Sequence, residues 1–266
     1  MKKAISICVL ALLCSCNTVK TYYQVYNTES ETVKSSGNSI FFEDANCIIS
    51  YNLWSENGNA GFSFYNKTEE VIYLQLDQSF YVINGNAYDY YQNRVFISSS
   101  NSATVSSNTS GYSLLGRLSY TSLNSKTVTS HQSKGLEITE AKVIAIPSKT
   151  TKSISEFNIN ETIFRDCDLL RFPSSKQVSQ KSFNKENSPL KFYNSISYKI
   201  GDKINKVKND FYVSGITNIA SSDAFKQEKN AFCNQKGGGT IDVFKEIAPN
   251  KFYIIYTKTQ ADTWKY

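Results

Sequence analysis

Short runs in which apolar and polar residues alternate recur along most of this chain, and turn residues separate them. Phe62 to Tyr65 alternates with a period of two, and so does Leu190 to Ile200, which ends at Gly201 and Asp202. Such a period places every second side chain on one face of a strand. About a dozen short strands of this kind predict a mostly β protein. The favoured fold is an antiparallel β-sandwich with one or two short helices and long polar loops.

Two polar segments and two expected helices interrupt the strand pattern. Residues 98–135 are rich in Ser and Thr, which predicts a long excursion, and residues 173–189 are interpreted as a polar linker. A helix is expected from Ala224 to Cys233, ended by the glycines that follow. A second, shorter one is expected from Glu161 to Leu170.

The N-terminus has the layout of a secretory signal. Lys2 and Lys3 precede an apolar run from Ala4 to Leu13, and small residues follow. The run is too short to span a bilayer as a helix. We therefore predict a signal peptide over residues 1–15 that is cleaved, which leaves 251 residues with a net charge of +4. Residues 16–39 would hold a tether and a possible first strand, and residues 40–266 a single β-rich domain.

The residues Leu13-Cys14-Ser15-Cys16 resemble the lipobox of bacterial lipoproteins. An aliphatic residue stands at −3, a small one at −1, and the cysteine that is modified comes next. The resemblance implies that acyl chains are attached to Cys16 and hold the chain on a membrane. The alternative is a plain secretory signal cut nearby, which would release a soluble product.

The chain as a whole resembles the uncharacterised lipoproteins of Bacteroidota, in which a lipobox precedes a β domain rich in Tyr, Asn and Ser. Asn17 follows the cysteine where an Asp would signal retention in the inner membrane, and no acidic tag comes after it. By analogy, the resemblance implies an outer-membrane lipoprotein that faces the periplasm.

Three cysteines remain beside Cys16 in the cleaved chain, so one disulfide at most can form within it. Cys47 lies in an apolar run and is interpreted as a buried thiol. If a disulfide forms, we expect it between Cys167 and Cys233. The chain has no C-x-x-C and one histidine, so neither a metal site nor a cofactor is predicted.

Charge is distributed unevenly along the sequence. Residues 29–89 hold nine acids and two bases, whereas residues 165–208 hold ten bases and four acids. The basic segment either lies in solvated loops or binds anionic head groups or an acidic envelope polymer. The overall balance is far from strongly basic, so nucleic acid is not an expected partner.

Motifs for catalysis are weak. His131 lies in the Ser-rich excursion, where a general base would be poorly positioned. Ser182 and Lys185 match S-x-x-K, but the other elements of a penicillin-binding protein are missing downstream. We predict no catalytic residues and no enzymatic activity.

Aromatic residues suggest one binding surface. On a strand, Tyr88 and Tyr90 would share a face, with Asp89 and Arg94 nearby. Exposed tyrosines beside hydrogen-bonding groups can stack on sugar rings, although they pack sheet cores equally well.

The leading hypothesis is a non-catalytic envelope lipoprotein, anchored through Cys16, that acts as a protein-interaction or structural module with an unidentified envelope protein. The alternative is a glycan-binding accessory lipoprotein that uses Tyr88, Tyr90 and their neighbours. A third possibility is an enzyme whose site is dispersed along the chain.

Overall fold

The computed structural model describes residues 19–36, 39–99, 135–232 and 235–266. Antiparallel pairing connects nearly all of its strands, and the helical structure consists of one α-helical turn, α1 (Ser221–Ala224), and one 3-10 turn, Ser175–Gln177. The strands, in chain order, are β1 (Lys20–Glu29), β2 (Lys34–Ser36), β3 (Ser39–Glu43), β4 (Cys47–Tyr51), β5 (Phe62–Asn66), β6 (Ile72–Ile83), β7 (Asn86–Asp89), β8 (Val95–Ser99), β9 (Gly135–Thr139), β10 (Val143–Ile146), β11 (Thr151–Ile154), β12 (Gln180–Ser182), β13 (Lys191–Ile200), β14 (Lys203–Ala220), β15 (Phe225–Phe232), β16 (Gln235–Phe244) and β17 (Lys251–Lys258).

The chain divides into two compact units. Residues 91–141 form the smaller unit, whose β8 and β9 pair as a two-stranded ladder. The rest of the described chain forms the larger unit, which holds every other strand. The predicted excursion over residues 98–135 falls mainly on residues 100–134, which lie outside the described residues.

An eight-stranded sheet, here called the large sheet, is the main element of the larger unit. Its order is β10-β6-β13-β14-β1-β17, with β7 also paired to β6 and β12 to β14. The 18 residues of β14 reach past β13, so its C-terminal half pairs with β1 and β12 instead. Beyond β17 the edge continues into the chain after β4, where the Asn57 N–H donates to the Tyr253 oxygen at 2.7 Å.

A five-stranded sheet packs against the large sheet in the order β11-β5-β4-β3-β2. The two meet through aromatic pairs: the rings of Phe64 and Tyr198 lie 5.2 Å apart, and those of Tyr51 and Phe211 lie 5.1 Å apart. Burial of these rings contributes to the stability of the sandwich. The predicted antiparallel β-sandwich with few helices is confirmed.

Polar side chains inside the sandwich pair with one another. The Asn209 Nδ2 donates to the Tyr51 hydroxyl at 2.7 Å, and the Tyr90 hydroxyl donates to Asn194 Oδ1 at 2.7 Å. Burial raises the pKa of both tyrosines, which therefore stay neutral at physiological pH. These bonds satisfy polar groups that would otherwise be costly to bury.

Two predicted helices are wrong. Residues from Phe225 onward form the hairpin β15–β16 rather than a helix, because Phe225 and Phe244 pack 4.2 Å apart and cover Tyr23 of β1. Residues 161–170 lack helical structure, since their main chain is held to β1 instead: the Phe164 N–H donates to Gln24 Oε1 at 2.6 Å.

The polar segments at 16–39 and 173–189 also take part in the sheets. β1 is an interior strand of the large sheet, paired with β14 on one side and with β17 on the other. β12 lies within the predicted linker and pairs with β14. The sequence predicts a possible first strand in residues 16–39, where β1 lies, whereas it predicts only a polar linker where β12 lies, because β12 has no aliphatic residue.

Candidate functional site

A shallow depression on the outer face of the large sheet is a candidate binding site. Its volume is about 300 Å³. Polar and aromatic side chains from β13, β14 and the segment before β13 supply its chemistry: Lys185, Lys191, Tyr193, Lys208, Asp210 and Tyr212. We call this depression the lysine–tyrosine pocket.

The hairpin between β13 and β14 sets the geometry of the pocket. Gly201 has a φ of +52°, which a glycine adopts without strain in the tight turn. From that turn, Tyr193 is paired with Asp210 and Lys191 with Tyr212. The alternating residue Phe192 is buried on the inner face, so Lys191 and Tyr193 point outward.

Cations and carboxylates are balanced in this pocket. The Lys208 ammonium lies 4.0 Å from the centre of the Tyr193 ring, within range of a cation–π contact. The Lys185 ammonium contacts Glu31 and lies 3.4 Å from Asp210. The hydrogen bond with Glu31 is the main reason that the pKa of Lys185 is raised. The Lys191 ammonium donates to the Glu186 main-chain oxygen at 2.9 Å, a neutral partner that leaves its charge in place, so Lys191 and Lys208 are the cations that a ligand could meet.

The acidic and basic segments of the sequence meet at this place. Besides the contact between Glu31 and Lys185, the Tyr212 hydroxyl donates to Glu29 Oε2 at 2.6 Å. That hydrogen bond raises the pKa of Tyr212. Folding thus places part of the basic segment beside the acidic one, so the charges that are separated along the sequence partly neutralise each other in the folded protein.

The predicted tyrosine surface is corrected by the structure. Tyr90 is 1% exposed and bonded to Asn194 in the core, whereas Tyr88 is 47% exposed on β7. β7 ends at Asp89, so strand alternation does not extend to Tyr90 and the two rings do not form one exposed face. The chain turns there because Tyr90 packs against Phe62 and Phe157.

Arg94 is held by contacts within the smaller unit. It lies in the smaller unit, where its guanidinium binds Glu140 and its main-chain N–H donates to the same carboxylate at 3.0 Å. Burial raises the pKa of Glu140, but the hydrogen bonds from Arg94 lower it overall. Asp89 is exposed. Within the larger unit, the burial of Tyr90 leaves Tyr88 and Asp89 as the exposed members of the predicted glycan-binding set.

The cysteines have different environments. Cys47 is fully buried, and burial raises the pKa of its thiol, as expected for an unreactive core residue. Cys167 is exposed. Cys233 and Cys16 lie outside the described residues, so the disulfide and the lipidation stay predictions.

Within the described ranges, no helix has the length and apolar character needed to cross a membrane, and no three His, Cys, Asp or Glu side chains gather as metal ligands. Comparison of the chain with protein-family models, curated proteins and solved structures found no match.

Sequence reasoning missed Tyr193 and Lys208 as site residues. The alternation of β13 and the turn at Gly201 were both recognised, and pairing residues equally far from that turn would have placed Tyr193 opposite Asp210. The contribution of Lys185 and Glu31 has no such local signal, because they are 154 residues apart.

Proposed function

We propose that this chain is a membrane-anchored envelope lipoprotein whose sandwich is a non-catalytic interaction module. The lipobox-like residues Leu13 to Cys16 support the anchor. Two or more acyl chains on Cys16 would hold the protein firmly, whereas one would bind reversibly. By analogy with such lipoproteins, we place it on the outer membrane, facing the periplasm.

The single observation that carries the interaction is the lysine–tyrosine pocket. Lys191 and Lys208 offer ammonium groups, Asp210 offers a carboxylate, and Tyr193 offers the edge of its ring. A partner with an acidic group beside a hydrogen-bond donor complements that set. The depression is shallow, as suits a surface side chain of another envelope protein rather than an enclosed small molecule.

The anchor is tested by replacing the cysteine. We expect Cys16→Ala to abolish labelling with radioactive palmitate and to move the protein from the membrane fraction to the soluble fraction. Cys14→Ala is the matched control, because Cys14 would leave with the signal peptide. Retention of the Cys16→Ala protein on membranes would refute the anchor.

The interaction is tested by crosslinking in intact cells. A photoreactive amino acid at Tyr193 should capture an envelope partner, and the charge reversals Lys191→Glu and Lys208→Glu should remove that product. The same amino acid at Tyr73, which is 44% exposed on β6, is the control for non-specific contact. Equal products from both positions, or a product that survives the charge reversals, would contradict the proposed pocket.

A further inference from the structure

One end of the large sheet brings together the start of β1, the end of β17, the segment around Arg171 and the residues that follow β17. Lys20 of β1 is paired with Lys258 of β17, and Tyr22 with Tyr256. The Arg171 N–H donates to the Lys265 oxygen at 3.0 Å, which ties the C-terminal residues to this place. We call it the anchor end, defined by Lys20, Tyr22, Arg171, Phe172, Tyr256, Lys258, Trp264 and Lys265.

Three aromatic rings make the anchor end a packed surface. Phe172 meets Tyr22 edge to face at 5.2 Å, and Tyr22 stacks on Tyr256 at 5.7 Å. The Tyr256 hydroxyl donates to the Arg171 main-chain oxygen. The rings and the segment that carries Phe172 are therefore fixed to β1 and β17.

Basic side chains cover these rings. The Arg171 guanidinium lies 4.8 Å from the centre of the Phe172 ring, and the Lys258 ammonium lies 5.1 Å from it. Asp262 binds Arg171 at 3.0 Å. Lys20, Lys258 and Lys265 are exposed, so positive charge is presented outward from this end.

Large apolar side chains are exposed beside the lysines. Trp264 is 70% exposed, with the Arg165 guanidinium 5.8 Å from its ring, and Val19 is 60% exposed. Exposed tryptophan among lysines is the combination found at the boundary between a bilayer and water.

The position of Cys16 in the sequence limits how far this end can lie from a membrane. Three residues lie between Cys16 and Lys20, and even a fully extended chain covers at most about 14 Å over the four steps from one to the other. The start of β1 is paired with β17 from Lys20 and with β14 as well from Tyr22, so it is not free to act as a longer tether.

Resting on the proposed lipid at Cys16, we propose that the anchor end lies directly on an anionic bilayer surface. Trp264 sits at the level of the head groups, and Lys20, Lys258 and Lys265 face lipid phosphates. Anionic lipids attract lysines close to a membrane, and tryptophan prefers the interface. In this orientation the turn at Gly201 lies at the far end of β14, about 55 Å along the strand at the usual rise per residue.

The two tryptophans make the orientation measurable. In Trp54→Phe, Trp264 is the remaining tryptophan; in Trp264→Phe, Trp54 remains, half-buried 5.0 Å from Phe244 and 5.1 Å from Tyr253. The lipidated protein is placed in vesicles of phosphatidylcholine and phosphatidylglycerol, with and without brominated acyl chains. We expect brominated lipid to quench Trp264 and to leave Trp54 unquenched, and membranes to shield Trp264 from acrylamide.

The lysines are tested in the same assay. Lys20→Glu with Lys258→Glu should lower the quenching of Trp264 in vesicles that contain phosphatidylglycerol. Lys203→Glu with Lys206→Glu changes charge equally at the far end of β14 and should leave it unchanged.

The outcomes separate this inference from the proposed function. A protein that carries palmitate and floats with vesicles, but whose Trp264 is quenched no more than Trp54, refutes the orientation and leaves the anchor intact. A protein that carries no palmitate and does not float refutes both.

Discussion

The anchor end and the lysine–tyrosine pocket are both built from lysines and aromatic rings on the same sheet, but they are assembled differently. At the anchor end, the rings of Tyr22, Phe172 and Tyr256 contact one another. In the pocket, Tyr193 lies beneath Lys208, and carboxylates hold Lys185.

The two arrangements suit different kinds of partner. A packed aromatic base beneath exposed lysines presents a fixed cationic surface, which suits a broad partner of uniform charge such as a bilayer. A depression in which cations and carboxylates alternate suits one partner with matching groups. The packing also implies that the anchor end contributes more to stability than the pocket does.

The largest expected effect follows from that packing. Phe172→Ala should lower the free energy of unfolding by about 2 kcal/mol, less than for a fully buried phenylalanine because the ring is half-buried. Tyr193→Ala, whose ring supports no aromatic packing of this kind, should cost about 1 kcal/mol. Urea denaturation of both variants measures the difference.

The pairing of these two substitutions provides its own control, because each removes one half-buried ring from the large unit. Equal losses would mean that the pocket is as much a part of the core as the anchor end, and the contrast between the two surfaces would fail.

Acid should weaken the anchor end, and alkali should weaken the pocket. Hydrogen bonds from Thr259, together with Arg171, lower the pKa of Asp262, so its contribution is present above about pH 4 and is lost as pH falls through the lower folded value. The bond to Glu29 raises the pKa of Tyr212, so its contribution is present below about pH 10 and is lost as pH rises through the higher folded value.

Two substitutions isolate these contributions. Asp262→Asn should lessen the loss of stability on the acid side of a plot of unfolding free energy against pH. Tyr212→Phe should lessen the loss on the alkaline side without abolishing it, because buried tyrosines with a raised pKa, such as Tyr51 and Tyr90, contribute to the same loss. Urea titrations at a series of pH values measure both. A Tyr212→Phe protein that loses stability in alkali as steeply as the original chain would show that the hydrogen bond to Glu29 does not contribute to that loss.

The sequence predicted the sandwich because a period of two is a property of each strand by itself. The alternation of Phe62 to Tyr65 and of Leu190 to Ile200 predicts two of the strands, and Gly201 and Asp202 mark the end of β13. The pattern predicts only a possible strand at β1, because its polar residue Gln24 is buried through a hydrogen bond to Asn218, which lies 194 positions further along the chain.

Site residues were harder to predict, because their exposure depends on distant contacts. Tyr88 and Tyr90 are two residues apart and looked equivalent, yet Tyr90 is buried by Asn194, which lies 104 residues further on. The helix expected after Ala224 became a strand because Phe225 and Phe244 cover Tyr23. Local propensity cannot report either contact.

The smallest expected effects concern the lysines over the rings. Lys208→Gln removes the ammonium 4.0 Å from the centre of the Tyr193 ring, and Lys258→Gln removes the one 5.1 Å from the centre of the Phe172 ring. Each substitution should lower the free energy of unfolding by about 0.5 kcal/mol, because both lysine side chains are exposed. A double-mutant cycle of Lys208→Gln with Tyr193→Leu isolates the pair from its surroundings. A second cycle, of Lys258→Gln with Phe172→Leu, gives the matching value for the anchor end. The Lys208 pair should show the larger coupling because its ammonium is closer to the ring. A coupling near zero for Lys208 would mean that its place over Tyr193 adds nothing to the fold, which would leave the ammonium available to a partner at no cost in stability.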